Sequence, residues 1–184
     1  GDWASGRARS RDLESNPLVG SEVLSRAHLY RFFYYAGLCA FKERQFAAAV
    51  GYWQRAARIE VADLTRVTRA QMLAELGMAH VQIREYEQAV AAWRRAAELD
   101  PDNAQVRYYM GRVILDNFHH AAIALTAVEA ALDLVPDYVD ALLLRGEALV
   151  VLGRGDEALA DYLRAQRLAP QNERIQSLIS ALPH

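Results

Sequence analysis

The residues best equipped for chemistry are Asp116, His119 and His120, set three and four positions apart in the run DNFHH. On a helix those spacings share a face, so a carboxylate and an imidazole there could ligate a divalent metal or pass a proton. Adjacent histidines do not face each other on a helix, however, and an irregular spacing in this stretch (below) predicts a loop. The sequence therefore carries a metal-binding regulator or an enzyme built on these three residues only as an alternative of a different class. His80 falls on an apolar stripe and reads as a packed histidine, and Cys39 reads as a small buried hydrophobe. A lone cysteine excludes an internal disulfide. No phosphate-binding glycine loop, zincin pattern or nucleophile elbow occurs. Arg7, Arg9 and Arg11 are too few to define a nucleic-acid or headgroup site. No catalytic residue, metal ligand or cofactor is expected.

What the chain has in place of catalytic groups is a repeated pattern of elements. Of its 184 residues 53% are hydrophobic, enough for a sizeable core, and a net charge of −2 with interspersed signs points away from a strongly electrostatic partner. No window holds the roughly 18 apolar residues of a membrane span. The chain reads as soluble and cytoplasmic by default, or periplasmic or membrane-peripheral if an amino-terminal signal has been removed.

In residues 70–103, Leu73, Leu76 and His80 lie on one helical stripe, and Ala89, Trp93 and Ala96 lie on another. Gly77 costs about 1 kcal/mol in a helix interior, so its place there predicts a close helix crossing. Tyr86 opens the second helix, and Asp100-Pro101-Asp102-Asn103 closes it and caps the next. The same order returns in Gly37, Ala49, Trp53 and Ala56; in Gly111, Ala124, Val128, Ala131 and Pro136; and in Gly146, Ala158, Tyr162, Ala165 and Pro170. Ser21 is the expected cap of a first helix over about 22–44. The interval from Gly37 to Gly77 is 40 residues against 34 from Gly77 to Gly111, which predicts a longer connection or an added turn near 63–69. Gly111 to Ala124 spans 13 residues where the other units span 12, placing an inserted residue around 117–120. Arg107 and Arg145 interrupt apolar columns, so their charges are expected to be paired or near the edge. A last amphipathic helix over about 172–181, with Glu173, Arg174, Gln176 and Ser177 outward, suits an end cap.

This order of glycine, alanine, aromatic, alanine and proline at a period of about 34 residues resembles the tetratricopeptide repeat (TPR) family. The resemblance implies an all-α, right-handed superhelical solenoid of about four helix pairs plus a carboxy-terminal capping helix. It gives a partly ordered extension over 1–20 and a repeat domain over 21–184, with repeats at about 30–63, 70–103, 104–138 and 139–172. It also implies a non-enzymatic interaction scaffold or adaptor, in which the first helix of each pair lines a concave groove for a peptide or apolar segment of a partner protein. The matching positions are Tyr34, Leu38 and Phe41; Met78 and Val81; Tyr108, Arg112 and Leu115; and Leu143, Glu147 and Val150, a mostly apolar set. Complex assembly is the expected role, with a chaperone for a secreted or membrane-associated substrate as the alternative. Family members that hold acidic chaperone tails use a two-carboxylate clamp of Lys, Arg and Asn on consecutive first helices. The matching positions here are Tyr34, Leu38, Glu75, Gln105 and Tyr109, or, one repeat later, Ala74, Met78, Tyr109, Asp140 and Leu144, none of them cationic.

Overall fold

The computed structural model describes residues 25–61 and 64–182, which form nine helices. They are α1 Arg26–Lys42, α2 Phe46–Ala57, α3 Arg66–Gln82, α4 Tyr86–Leu99, α5 Ala104–Phe118, α6 Ala121–Leu134, α7 Val139–Val151, α8 Gly155–Leu168 and α9 Glu173–Ser180. The chain divides into two compact units at Leu99 and Asp100. In the first, α1 pairs with α2 and α3 with α4; in the second, α5 pairs with α6 and α7 with α8, and α9 packs on α8. Among the described residues no helix is long and apolar enough to cross a membrane.

The glycine in each first helix is explained by what lies over it. A methyl group at Gly37 would stand 2.6 Å from Trp53 Cδ1, and one at Gly77 2.6 Å from Trp93 Cε2. Both indoles are buried, and each donates its N–H to a carbonyl three residues before the glycine, Trp53 to Tyr34 at 3.1 Å and Trp93 to Ala74 at 3.0 Å. Apolar burial and a satisfied polar handle thus fix the same crossing. Gly146 is covered in the same way by the Tyr162 ring. Gly111 differs, because its column partner is Val128: the nearest atom to an added methyl is the Ala124 carbonyl oxygen at 3.3 Å, followed by Leu144 at 3.4 Å.

Each turn within a pair contains one residue of positive φ: Arg44 (61°), Arg84 (62°), His119 (55°) and Gly153 (75°). In three turns the chain closes with an amide bonded to a carbonyl five residues back, Gln45 to Ala40, Glu85 to His80 and Arg154 to Leu149, at 2.8 to 2.9 Å. In the third turn the corresponding bond runs six residues back, from His120 to Ile114 at 3.4 Å. The inserted residue is absorbed by lengthening α5 through Asn117 and Phe118, so these two are helical and the expected loop shrinks to His119 and His120.

Two further expectations are corrected. Ser25, not Ser21, caps α1, accepting from the His28 amide, and the helix starts at Arg26; Ser21 lies outside the described residues, as do Arg7, Arg9, Arg11 and the whole 1–20 extension. Cys39 is half-buried rather than buried. The long interval between Gly37 and Gly77 is taken up in two ways. The α2–α3 connection runs from 58 to 65, against four residues between later pairs, and α3 begins eleven residues before its glycine, against seven for α5 and α7. Ile175 anchors α9 with 1% exposure while Glu173, Arg174, Gln176 and Ser177 face solvent.

Candidate functional site

In the first unit the exposed side of the first helices is aromatic and aliphatic. Spacings of four and three on α1 bring Tyr34, Leu38 and Phe41 to one face, and Met78 and Val81 follow on α3; all five are half-buried. Tyr34 joins the two helices, its hydroxyl donating to Glu75 Oε1 at 3.5 Å, while Gln71 donates to the same oxygen at 3.3 Å. The other carboxylate oxygen, Oε2, and the Tyr30 hydroxyl are buried with no hydrogen-bond partner among the described residues. Burial raises the Glu75 carboxyl above its ordinary range. Burial, then the Glu75 charge, pushes the Tyr34 phenol up to about 12. Tyr30 stacks on Tyr34 with centroids 6.2 Å apart, and both rings line a recess of about 360 Å³ together with Val61 and Leu64. Phe41 turns partly inward, 5.3 Å from Phe46 and 5.8 Å from Trp53.

The second unit places different chemistry at the same positions. Tyr108 packs on Tyr138 at 5.2 Å. Next to it Arg112 donates to Glu147 at 2.5 Å and to Asp116 at 3.4 Å, and Arg174 from α9 takes the other Glu147 oxygen at 2.5 Å. Burial works against the Arg112 charge, but the hydrogen bond and charge of Glu147, aided by Asp116, outweigh it, so the guanidinium is held charged more firmly than usual. Leu115 and Leu143, expected in the groove, are 8% and 1% exposed: both are core residues, and among the expected contacts of this unit Arg112 and Glu147 are tied into an ion network. Val150 is 37% exposed.

The residues first suspected of chemistry do not converge. Asp116 is committed to Arg112, while His119 and His120 are exposed at the two ends of one turn, one ending α5 and the other preceding α6. Among the described residues no group of three or more His, Cys, Asp or Glu is placed to hold a metal ion. His80 is a packed histidine, 3% exposed, whose Nδ1 lies 2.6 Å from Glu85 Oε2 and ties the end of α3 to the start of α4.

The two misplaced arginines are partnered. Arg145 makes a two-pronged contact with Asp161, at 2.7 and 2.5 Å, and Asp161 is buried. Arg107 donates to the Pro101 carbonyl at 2.8 Å. Asp161 escaped the sequence reading although it stands, three residues after the column alanine, where the second pair has Ala92 and the third Ala127. A carboxylate in a small-residue column, on the helix paired with the one that carries a misplaced arginine, was the available signal. Glu75 was noted only as a non-cationic clamp position, and its orphaned oxygen has no sequence signature.

Comparison with known proteins fits this architecture. Residues 77–117 match the family described as TPR repeat, and residues 118–173 match the tetratricopeptide repeat. A relative, protein unc-45 homolog B of Mus musculus, is 30% identical over 115 residues, or 61% of this chain, which spans only 12% of that protein. The crystal structure of MamA superposes with a TM-score of 0.73 over 95% of this chain and 92% of that one at 21% identity. The first TPR of Spaghetti (RPAP3), solved with the HSP90 peptide SRMEEVD, superposes with a TM-score of 0.61 over 63% and 91% at 23% identity. At these identities the structures speak to the fold alone, the all-α fold of repeat solenoids. Together with the repeated glycine, alanine and aromatic columns, the matches show that the chain belongs to the tetratricopeptide repeat family.

Proposed function

We propose that residues 21–184 serve as a non-enzymatic interaction scaffold whose first-helix face seats a peptide or apolar segment of a partner protein during assembly of a larger complex. The observation that carries this reading is the row Tyr34, Leu38, Phe41, Met78 and Val81, apolar or aromatic and half-exposed on neighbouring helices of the first unit. Partly exposed aromatic and Met side chains are common interface anchors. The solved RPAP3 domain holding an HSP90 peptide supports the capacity of the fold to seat peptides. The acidic-tail clamp is not expected here, since none of the matching positions in either register is cationic. Holding an apolar export substrate is the alternative role the same face would serve. Tyr108, Arg112, Glu147 and Val150 are the contacts proposed on the second unit's own first helices. Affinity capture from the native organism with mass spectrometry identifies the partner, and titration then tests the face. Tyr34→Ala with Met78→Ala should weaken binding by ~2 kcal/mol or more, while Arg94→Ala on α4 should leave it within about 0.5 kcal/mol. Parental affinity in the folded double variant would contradict the proposal.

A further inference from the structure

The first unit contains a second recess, away from the first-helix face, between α2, α3 and α4. Its volume is about 420 Å³, within the range of ligand-binding pockets. The floor is apolar and fixed: Leu73, Leu76 and Ala92 are 2%, 6% and 6% exposed. Over it stand Arg58 and Arg95, both exposed, and neither guanidinium has an ion-pair partner among the described residues.

The second unit supplies an internal control, because a recess of about 250 Å³ occupies the equivalent place on α6, α7 and α8. Counting from the column residues, Leu76 becomes Arg145 and Ala92 becomes Asp161, and their ion pair fills the floor. Gln54 and Gln88 on the rim become Glu129 and Glu157, and Arg58 becomes Asp133. The two recesses share a backbone position but differ in charge: Arg58 and Arg95 stand over the first, whereas in the second unit Arg145 and Arg154 are paired with Asp161 and Glu157, and Arg164, the counterpart of Arg95, with Asp137. The same contrast runs through the whole units: residues 1–99 hold 14 basic and 11 acidic side chains, and residues 100–184 hold 7 and 12.

We propose that the recess between α2, α3 and α4 is a second binding site, distinct from the first-helix face, for an acidic peptide segment. One aliphatic or aromatic side chain of the segment would cover Leu73 and Leu76, and flanking carboxylates would meet Arg58 and Arg95. An apolar floor alone would accept any apolar group; the two guanidiniums, without an ion pair among the described residues, select carboxylates, to which Arg binds in charge-assisted, two-pronged fashion. A basic segment would meet uncompensated like charge, and in the second unit the equivalent floor is already occupied.

The test is fluorescence anisotropy of the full chain with a labelled, end-blocked Gly-Glu-Leu-Phe-Glu-Gly peptide, its counterpart with Lys for Glu, and its counterpart with Ala for Leu and Phe. The acidic apolar peptide should bind at least about tenfold more tightly than either control, and added salt should weaken it. Arg58→Glu with Arg95→Glu, both on exposed positions, should reduce its affinity at least about tenfold with the helical circular dichroism unchanged. Leu76→Arg with Ala92→Asp, which imports the second unit's ion pair, should do the same. Tyr34→Ala with Met78→Ala should leave this peptide unaffected, which separates the recess from the first-helix face. Equal binding of the acidic and basic peptides, or full affinity in the Arg58→Glu, Arg95→Glu variant, would overturn the proposal. So would loss of binding only in the Tyr34→Ala, Met78→Ala variant.

Discussion

The two units are built on one repeat and spend it differently. In the first, an indole seals each glycine crossing and the outward sides of α1 and α3 carry Tyr34, Leu38, Phe41, Met78 and Val81. In the second, one crossing is sealed by Tyr162 and the other is looser, and the matching faces hold Arg112, Glu147 and Arg174 on one side and Arg145 with Asp161 on the other. The difference teaches that the repeat's backbone columns prescribe size at the crossing but leave polarity free one residue away. At these positions the second unit pairs its own charges, whereas the first leaves half-buried apolar side chains and, among the described residues, the guanidiniums of Arg58 and Arg95 without an ion pair.

Replacing Asp161 should have the largest effect, because it tests how firmly the second unit depends on its internal pair. Asp161→Ala leaves Arg145 facing the core without its carboxylate and should cost about 3–5 kcal/mol in urea unfolding. Arg145→Leu with Asp161→Ala imports the first unit's Leu76 and Ala92 and should recover most of that loss. A double variant as unstable as the single one would show that the pair is not interchangeable with apolar packing.

The next contrast sets Gly77 against Gly111. Gly77→Ala must push against a buried indole held by its own hydrogen bond and should cost about 2–3 kcal/mol. Gly111→Ala has 3.3 Å or more to its neighbours, and the gain in helix propensity, about 1 kcal/mol, should leave it neutral or stabilising. Gly111→Leu is a different matter, since the longer side chain meets Leu144, Ala127 and the Ala124 carbonyl; a loss of about 1–3 kcal/mol is expected. Equal melting temperatures for Gly77→Ala and Gly111→Ala would erase the distinction between the two crossings.

Glu75→Gln gives the smallest expected effect and sharpens the account of the first unit's face. Burial raises the Glu75 carboxyl, so the folded state favours its neutral form. A raised folded value means that its favourable contribution is complete below the ordinary Glu range of about 4.3 and is lost as pH rises through the folded value. The variant should therefore melt slightly higher than the parent near neutral pH, and the gap should close in acid. A gap that widens in acid would contradict the assignment.

Much of this was legible from residues alone. The glycine, alanine and aromatic columns are set by a crossing too close for other side chains, so spacing placed all four pairs and the final cap. Side-chain choices just off those columns were less legible. Leu115 and Leu143 satisfy the family's contact columns yet are buried, because an apolar residue on a first helix serves the groove or the neighbouring helix equally well in sequence. The Arg112, Glu147 and Arg174 network joins three helices far apart in the chain and leaves no local pattern. The cap at Ser25 in place of Ser21 reflects two serines with the same chemistry four residues apart.

The central claim is that partner contact falls on the first-helix face of the first unit. Site-specific photo-crosslinking with benzoyl-phenylalanine in place of Tyr34, Met78 or Ile123, carried out in the native organism's lysate, tests it directly. Ile123 is a fair control, being apolar, 56% exposed and on a second helix, α6. The account predicts one shared partner adduct from positions 34 and 78 and little of that adduct from position 123. Strong capture of a defined partner from position 123 with none from 34 or 78, in chains that remain folded, would contradict it.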